Sequence, residues 1–194
     1  MKFIYMFLLI ISASMCYAQT PSAEIQIKTA VLAAPEDKRA AAMVYGYDAK
    51  GEFVVLRKGT NEMICIADNP NQAGLSVSCY HKDLEPFMAR GRALKDEGKS
   101  FQEIFDMREA EAKSGKLVMP KQACNLQVYS AKAEDYNATT GEVAKGSFRY
   151  VVYIPWATAA STGLPIKPEA PGMPWIMDPG THRAHIMINP VSKD

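Results

Sequence analysis

The sequence predicts one α+β domain: a mainly antiparallel sheet of about six strands, covered on one face by a helical hairpin and held by a single disulfide. Three observations carry this reading. Residues 42–80 divide into four strand-like runs separated by turn residues. Residues 83–114 carry two consecutive stripes of helical period. A cysteine sits on each of the last two runs, Cys65 and Cys79.

Residues 1–18 read as a secretory signal peptide, with Lys2 ahead of an apolar run over 3–11 and small residues at Cys16 and Ala18, giving cleavage before Gln19. The apolar run is shorter than the roughly 20 residues that span a bilayer. Met15 stands where a lipoprotein signal has a small residue. The expectation is a protein exported to the periplasm or secreted, with no membrane insertion after cleavage and one folded domain over 19–194. A formal charge of +1 and the absence of a basic run give no electrostatic footprint for nucleic acid or an anionic bilayer.

Residues 22–33 fit a short helix that Ser22 can cap, with Ile27, Ala30 and Val31 on one side and Pro35 closing it. Strands follow at 42–47, 52–57, 62–67 and 75–80, and their succession reads as a meander. In the last, Leu75, Val77 and Cys79 alternate with Ser76 and Ser78, the signature of a half-buried strand. The third is apolar on both faces through Met63, Ile64, Cys65 and Ile66, so each side of it needs a cover. Past the signal, three cysteines remain. Cys65 and Cys79 lie on neighbouring strands and form the expected pair, which stabilises by roughly 3 kcal/mol in the chain-entropy picture. Cys124 is left as a buried thiol or a contact to another chain.

Residues 83–98 read as a helix through Leu84, Phe87, Met88, Gly91 and Leu94, with Asp83 as its cap. Ser100 and Glu103 have capping-box spacing and open a second helix to about Ser114, with Phe101, Ile104, Phe105 and Arg108 on one stripe. The charges on this pair read as a solvated outer face. Residues 125–130 alternate weakly. Residues 147–154 alternate well, with Phe148, Tyr150, Val152 and Ile154 facing one way, and 131–146 is a polar loop between them. Seven of the twelve prolines fall within the Pro-rich segment 155–190, which makes 163–174 an extended loop. Short strands at 173–177 and 183–188 flank Asp178-Pro179-Gly180-Thr181. Pro-Gly suits a type II turn, a poor twist match for a tight hairpin, so the reading rests on the two strands more than on their pairing.

Four pieces carry a resemblance: 57–65 (Arg-Lys-Gly-Thr-Asn-Glu-Met-Ile-Cys), Cys79, 173–177 (Met-Pro-Trp-Ile-Met) and 185–188 (His-Ile-Met-Ile). In these the chain resembles a group of uncharacterised exported bacterial proteins. The resemblance implies export and bacterial origin and brings no activity with it.

Function therefore rests on the residues. The leading expectation is a non-catalytic binding or interaction module whose site lies near Trp175, Asp178, His182, Arg183 and His185, for a small molecule, peptide or glycan, with no cofactor. The rival is a periplasmic copper or zinc protein, or a metal-dependent enzyme, that uses His182 and His185 with Met177, since thioether and imidazole are the donors such a site takes. On a regular strand residues three apart face opposite ways, so His182 and His185 converge only if His182 belongs to the turn. Exposure of these histidines is the dividing observation; burial makes them core. Nucleophile chemistry finds little support. Neither a Gly-x-Ser-x-Gly elbow nor Ser-x-x-Lys occurs, and a Cys79–His81 pair is excluded once Cys79 enters a disulfide. Tyr150, Tyr153, Trp156 and Trp175 either line a shallow groove or pack the end of the sheet.

Overall fold

The structure, a computed structural model, describes residues 20–191, and the signal segment expected at 1–18 lies outside them. Ser22 accepts from the Ile25 N–H and opens helix α1 (Ala23–Ala30), which tightens into a 3-10 turn at Val31–Ala33 before Pro35. A second 3-10 segment leads to strands β1 (Met43–Tyr47), β2 (Phe53–Arg57), β3 (Met63–Ile66) and β4 (Leu75–His81). Helices α2 (Glu85–Asp96) and α3 (Phe101–Lys113) follow, then β5 (Cys124–Ala131) and a small hairpin of β6 (Tyr136–Asn137) and β7 (Glu142–Val143). The chain ends with β8 (Ser147–Tyr153), the short helix α4 (Ala159–Thr162), β9 (Trp175–Met177) and β10 (His185–Ile188).

Eight strands form one sheet in the order β2-β1-β3-β4-β5-β8-β10-β9, more than the six expected. The first four are not a meander. β3 runs parallel to β1, which places β2 at the border of the sheet. The physical reason lies in the side chains. β3 is apolar on both faces and needs a central position, whereas β2 leaves Phe53 and Val55 exposed. The crossover runs tight against β1, where Thr60 and Asn61 donate to the Ala41 carbonyl. A side chain at Gly59 would run into the backbone of Met43, so only glycine fits there.

Cys65 and Cys79 stand directly opposite each other on β3 and β4 and are joined by a disulfide. That bond belongs to a cluster on one face of the sheet, where Met63, Cys65, Val77 and Cys79 meet Ala30 and Ala33 from the N-terminal helix. On the other face Ile64, Tyr80, Leu126, Val151 and Tyr153 meet Leu84 and Phe87. The covering contact on this second face comes from α2 and the turn before it. α3 contributes no buried residue and packs on α2. Arg90 of α2 donates to both carboxylate oxygens of Glu111 at 2.8–3.1 Å. Arg108 of α3 lies 4.0 Å over the Phe87 ring. Its Nη1 would stand 2.9 Å from a Cβ at position 91, which explains a glycine in mid-helix on the apolar stripe.

In β8, Phe148 and Tyr150 do share a face and stack on each other, and the buried pair, Val151 and Tyr153, lies on the opposite one. Both parities carry large side chains, so alternation alone did not choose between them. β9 and β10 do pair, with His185 opposite Met177 and Met187 opposite Trp175. Their connection, residues 178–184, is long enough that strand twist places no demand on the Pro-Gly step. At the outer border of β9, the Ile176 N–H is taken by the Pro165 carbonyl at 2.9 Å, so the proline-rich loop closes that margin.

Candidate functional site

A row of paired residues crosses one end of the sheet: Cys124 opposite Tyr153, Tyr153 opposite His185, and His185 opposite Met177. Directly paired residues share a face, and here it is the face covered by α2. The turn after β9 folds over this end. Gly180 donates to the Ala157 carbonyl, Trp156 to Thr181 and Ile154 to Ala184, and these bonds hold the turn against the strand end. Two residues of this region adopt positive φ without being glycine, Trp156 at 70° and Asp178 at 50°. For a tryptophan this is an uncommon, strained backbone.

Both C-terminal histidines are interior. His182, in the turn, is 0% exposed, and His185 is 2% exposed. His182 Nδ1 lies 3.0 Å from Glu109 Oε2. A carboxylate only accepts, so Nδ1 carries the hydrogen and donates, and Nε2 is left as a bare acceptor. That nitrogen is buried and unpartnered among the described residues. The ring meets Phe105 and Phe87 edge-on at 5.0 and 5.8 Å. Burial pulls the His182 pKa below the ordinary imidazole value. Glu109 opposes that shift, and Arg108 and Arg183 reinforce it. Glu109 is itself held below the usual carboxylate range, first by Lys113 at 2.6 Å and then by His182. The pair is therefore a neutral imidazole donating to an ionised carboxylate. His185 repeats the pattern with a backbone partner, Nδ1 lying 2.7 Å from the Arg183 carbonyl. Its ring centroid is 5.2 Å from that of Tyr153, and burial lowers its pKa as well.

Asp178 and Arg183 complete the network. Their closest atoms are 3.4 Å apart, yet Asp178 Oδ2 has no directed hydrogen bond, so the contact is an ion pair alone. Arg183 also lies 5.0 Å from the Phe101 ring centroid. The structure thus brings Asp178, His182, Arg183 and His185 together, with both histidines interior and Asp178 and Arg183 partly exposed. Glu109 was missed, because α3 reads as a charged outer face and nothing local marks one carboxylate as turned inward. Met177 sits beside His185, while His182 is committed to Glu109 and the phenyl rings.

Trp175 lies elsewhere, in a groove of about 500 Å³ lined by Pro168, Pro171, Gly172, Asn189 and Val191. Trp156 is not part of it. That side chain is exposed and borders a second depression with residues 120–123. The two tryptophans therefore neither share a groove nor jointly pack the sheet end.

Among the described residues one group of three metal-donor side chains converges, and it is a different one: His81, Asp83 and Cys124, with donor atoms all within 4.8 Å of one another. Cys124 is the remaining thiol and is buried. Its pKa is pushed up by burial and by the Asp83 carboxylate.

No helix among the described residues is long and apolar enough to cross a membrane. Comparison with known proteins finds no matching family model, no matching curated protein and no matching solved structure.

Proposed function

We propose that this chain is an exported, non-catalytic binding protein whose ligand rests on Trp175. The observation that carries the reading is the groove at that residue, whose size falls within the usual span of small-ligand sites. Its walls are apolar, and Val191 within it and Met173 beside Gly172 are exposed. Peptide addition to β9 is disfavoured, because the Ile176 N–H already has a partner in Pro165. An indole face flanked by an amide, Asn189, and a carboxylate, Glu169, suits a glycan ring, which offers C–H faces to the indole and hydroxyls to the polar groups. The buried histidines then serve as support. They fix the β9–β10 edge from beneath and do not touch the ligand. Export is favoured by the Cys65–Cys79 bond, since such bonds persist in oxidising compartments, and by the resemblance to exported bacterial proteins.

The chain has two tryptophans, so Trp156→Phe leaves Trp175 as the sole indole reporter. Titrating that variant with neutral oligosaccharides is expected to give a saturable change in emission that Trp175→Ala removes. Failure of every glycan to saturate, or saturation by proline-containing peptides alone, overturns the glycan assignment.

A further inference from the structure

We propose that His81, Asp83 and Cys124 form a zinc site, separate from the Trp175 groove and from the buried histidine network. The three residues come from two adjoining strand ends. His81 is the last residue of β4, Asp83 lies in the 3-10 turn that follows, and Cys124 opens β5. Antiparallel pairing of β4 with β5 brings these ends side by side. Sulfur, imidazole and carboxylate together are the donor set of a zinc ion, and three protein ligands leave the fourth tetrahedral position open to water or another molecule.

The distances suit an ion after a small contraction. Zinc–ligand bonds of about 2.0–2.3 Å place tetrahedral donors roughly 3.3–3.8 Å apart. The present donors lie within 4.8 Å, so closure needs about 1 Å of movement. His81 and Asp83 have the freedom to supply it, with side chains 35% and 57% exposed, and already approach to 3.6 Å. The buried thiol stays in place and the other two close on it. Their exposure also gives the ion a path from solvent.

The same geometry argues against a thiol nucleophile. Burial and the Asp83 carboxylate keep the sulfur protonated. Zinc binding releases that proton, converting S–H and Zn²⁺ to S–Zn⁺ and H⁺, so the buried sulfur becomes a thiolate only as it is coordinated.

The test uses the intact, disulfide-bonded chain and the metals alone. Dialysis against zinc is expected to leave one equivalent bound by native mass spectrometry. Cobalt(II) should give a thiolate-to-metal charge-transfer band in the near ultraviolet, absent in Cys124→Ser. Asp83→Asn leaves the metal-free melting temperature unchanged, whereas His81→Gln also removes the acceptor of the Asp83 N–H at the start of the 3-10 turn and lowers it slightly. In the folded protein each should weaken zinc binding by more than about tenfold, since even outer partners of a metal ligand contribute that much. Binding of less than about a tenth of an equivalent, a charge-transfer band that survives Cys124→Ser, or zinc lost on His182→Gln but retained by Asp83→Asn would each overturn the proposal.

Discussion

The sheet is filled differently on its two faces. Against α1 it presents Val44, Val77 and Met63, meets three alanines of the N-terminal segment, and is tied by the Cys65–Cys79 bond. Against α2 it presents Tyr80 and Tyr153, meets Phe87, and adjoins the two buried imidazoles with Glu109, Arg108, Asp178 and Arg183 close by. The first face holds together by close approach of small groups, by a covalent tie and by one polar anchor, Gln26 of α1, whose amide donates to the Pro21 and Tyr47 carbonyls and accepts from the Tyr47 N–H, each at 2.8 Å. Elsewhere on that face an apolar set of the right volume suffices. The second face must satisfy bonds between ionisable side chains as well. A helix displaced by one residue on this face would take Glu109 away and leave the buried His182 N–H without an acceptor, which costs more than imperfect packing. The polar face therefore fixes where α3 and the C-terminal turn sit, and the apolar face supplies cohesion.

Removing the covalent tie should have the largest effect. Cys65→Ala with Cys79→Ala is expected to lower stability by about 3 kcal/mol, read as a shift in urea midpoint, with reduction of the native protein giving the same shift. A loss below about 1 kcal/mol would mean that the small side chains hold this face unaided. On the other face, His182→Leu should cost about 1 kcal/mol by removing the buried hydrogen bond to Glu109, which keeps Lys113 as its other partner. A double-mutant cycle with Glu109→Leu should return a coupling of about 1 kcal/mol. A coupling near zero would reduce the imidazole to a space-filling ring. Gly91→Ala sharpens the contrast further. Its methyl group would meet Arg108 Nη1, so the substitution should not stabilise the native protein, yet in an Arg108→Ala background it should stabilise by about 0.5–1 kcal/mol through helix propensity.

The subtlest contrast is in acid. His182 and His185 have folded pKa values below the unfolded value of 6.5. The unfolded chain then binds more protons, so their contribution is complete above pH 6.5 and fades as pH falls below it. Asp68, beside α1 in a cleft with Gln26 and Tyr136, behaves oppositely. Burial raises its carboxyl from 3.8 to about 6, against hydrogen bonds from Ser76 and Asn69. Its contribution is complete below pH 3.8 and is lost as pH rises through about 6. Melting temperature followed from pH 4 to 7 should therefore change slope on Asp68→Asn and on His182→Gln in opposite directions. Slopes altered in the same direction would mean that one of the two groups is not held as described.

The difference between the faces also governs what the sequence discloses. Leu75, Val77 and Cys79 alternate against serines, so β4, its buried side and the cysteine pairing are all legible locally. The Ser100–Glu103 capping box is equally local and forms as expected. The parallel placement of β3 depends on the long-range competition for the sheet centre, which no window of sequence records. The Trp175 and histidine segment was recognisable by composition, but its inward orientation was not, because the deciding partner, Glu109, lies 73 positions away. The convergence of His81, Asp83 and Cys124 escaped for the same reason: Cys124 reaches the other two only through the β4–β5 register.

At one border of the sheet the proline-rich chain already takes the Ile176 N–H, and the opposite border, β2, carries exposed Phe53 and Val55. The two margins are thus unequal as templates: an incoming strand at β9 would compete with chain already seated there, whereas at β2 it would meet apolar side chains in solvent.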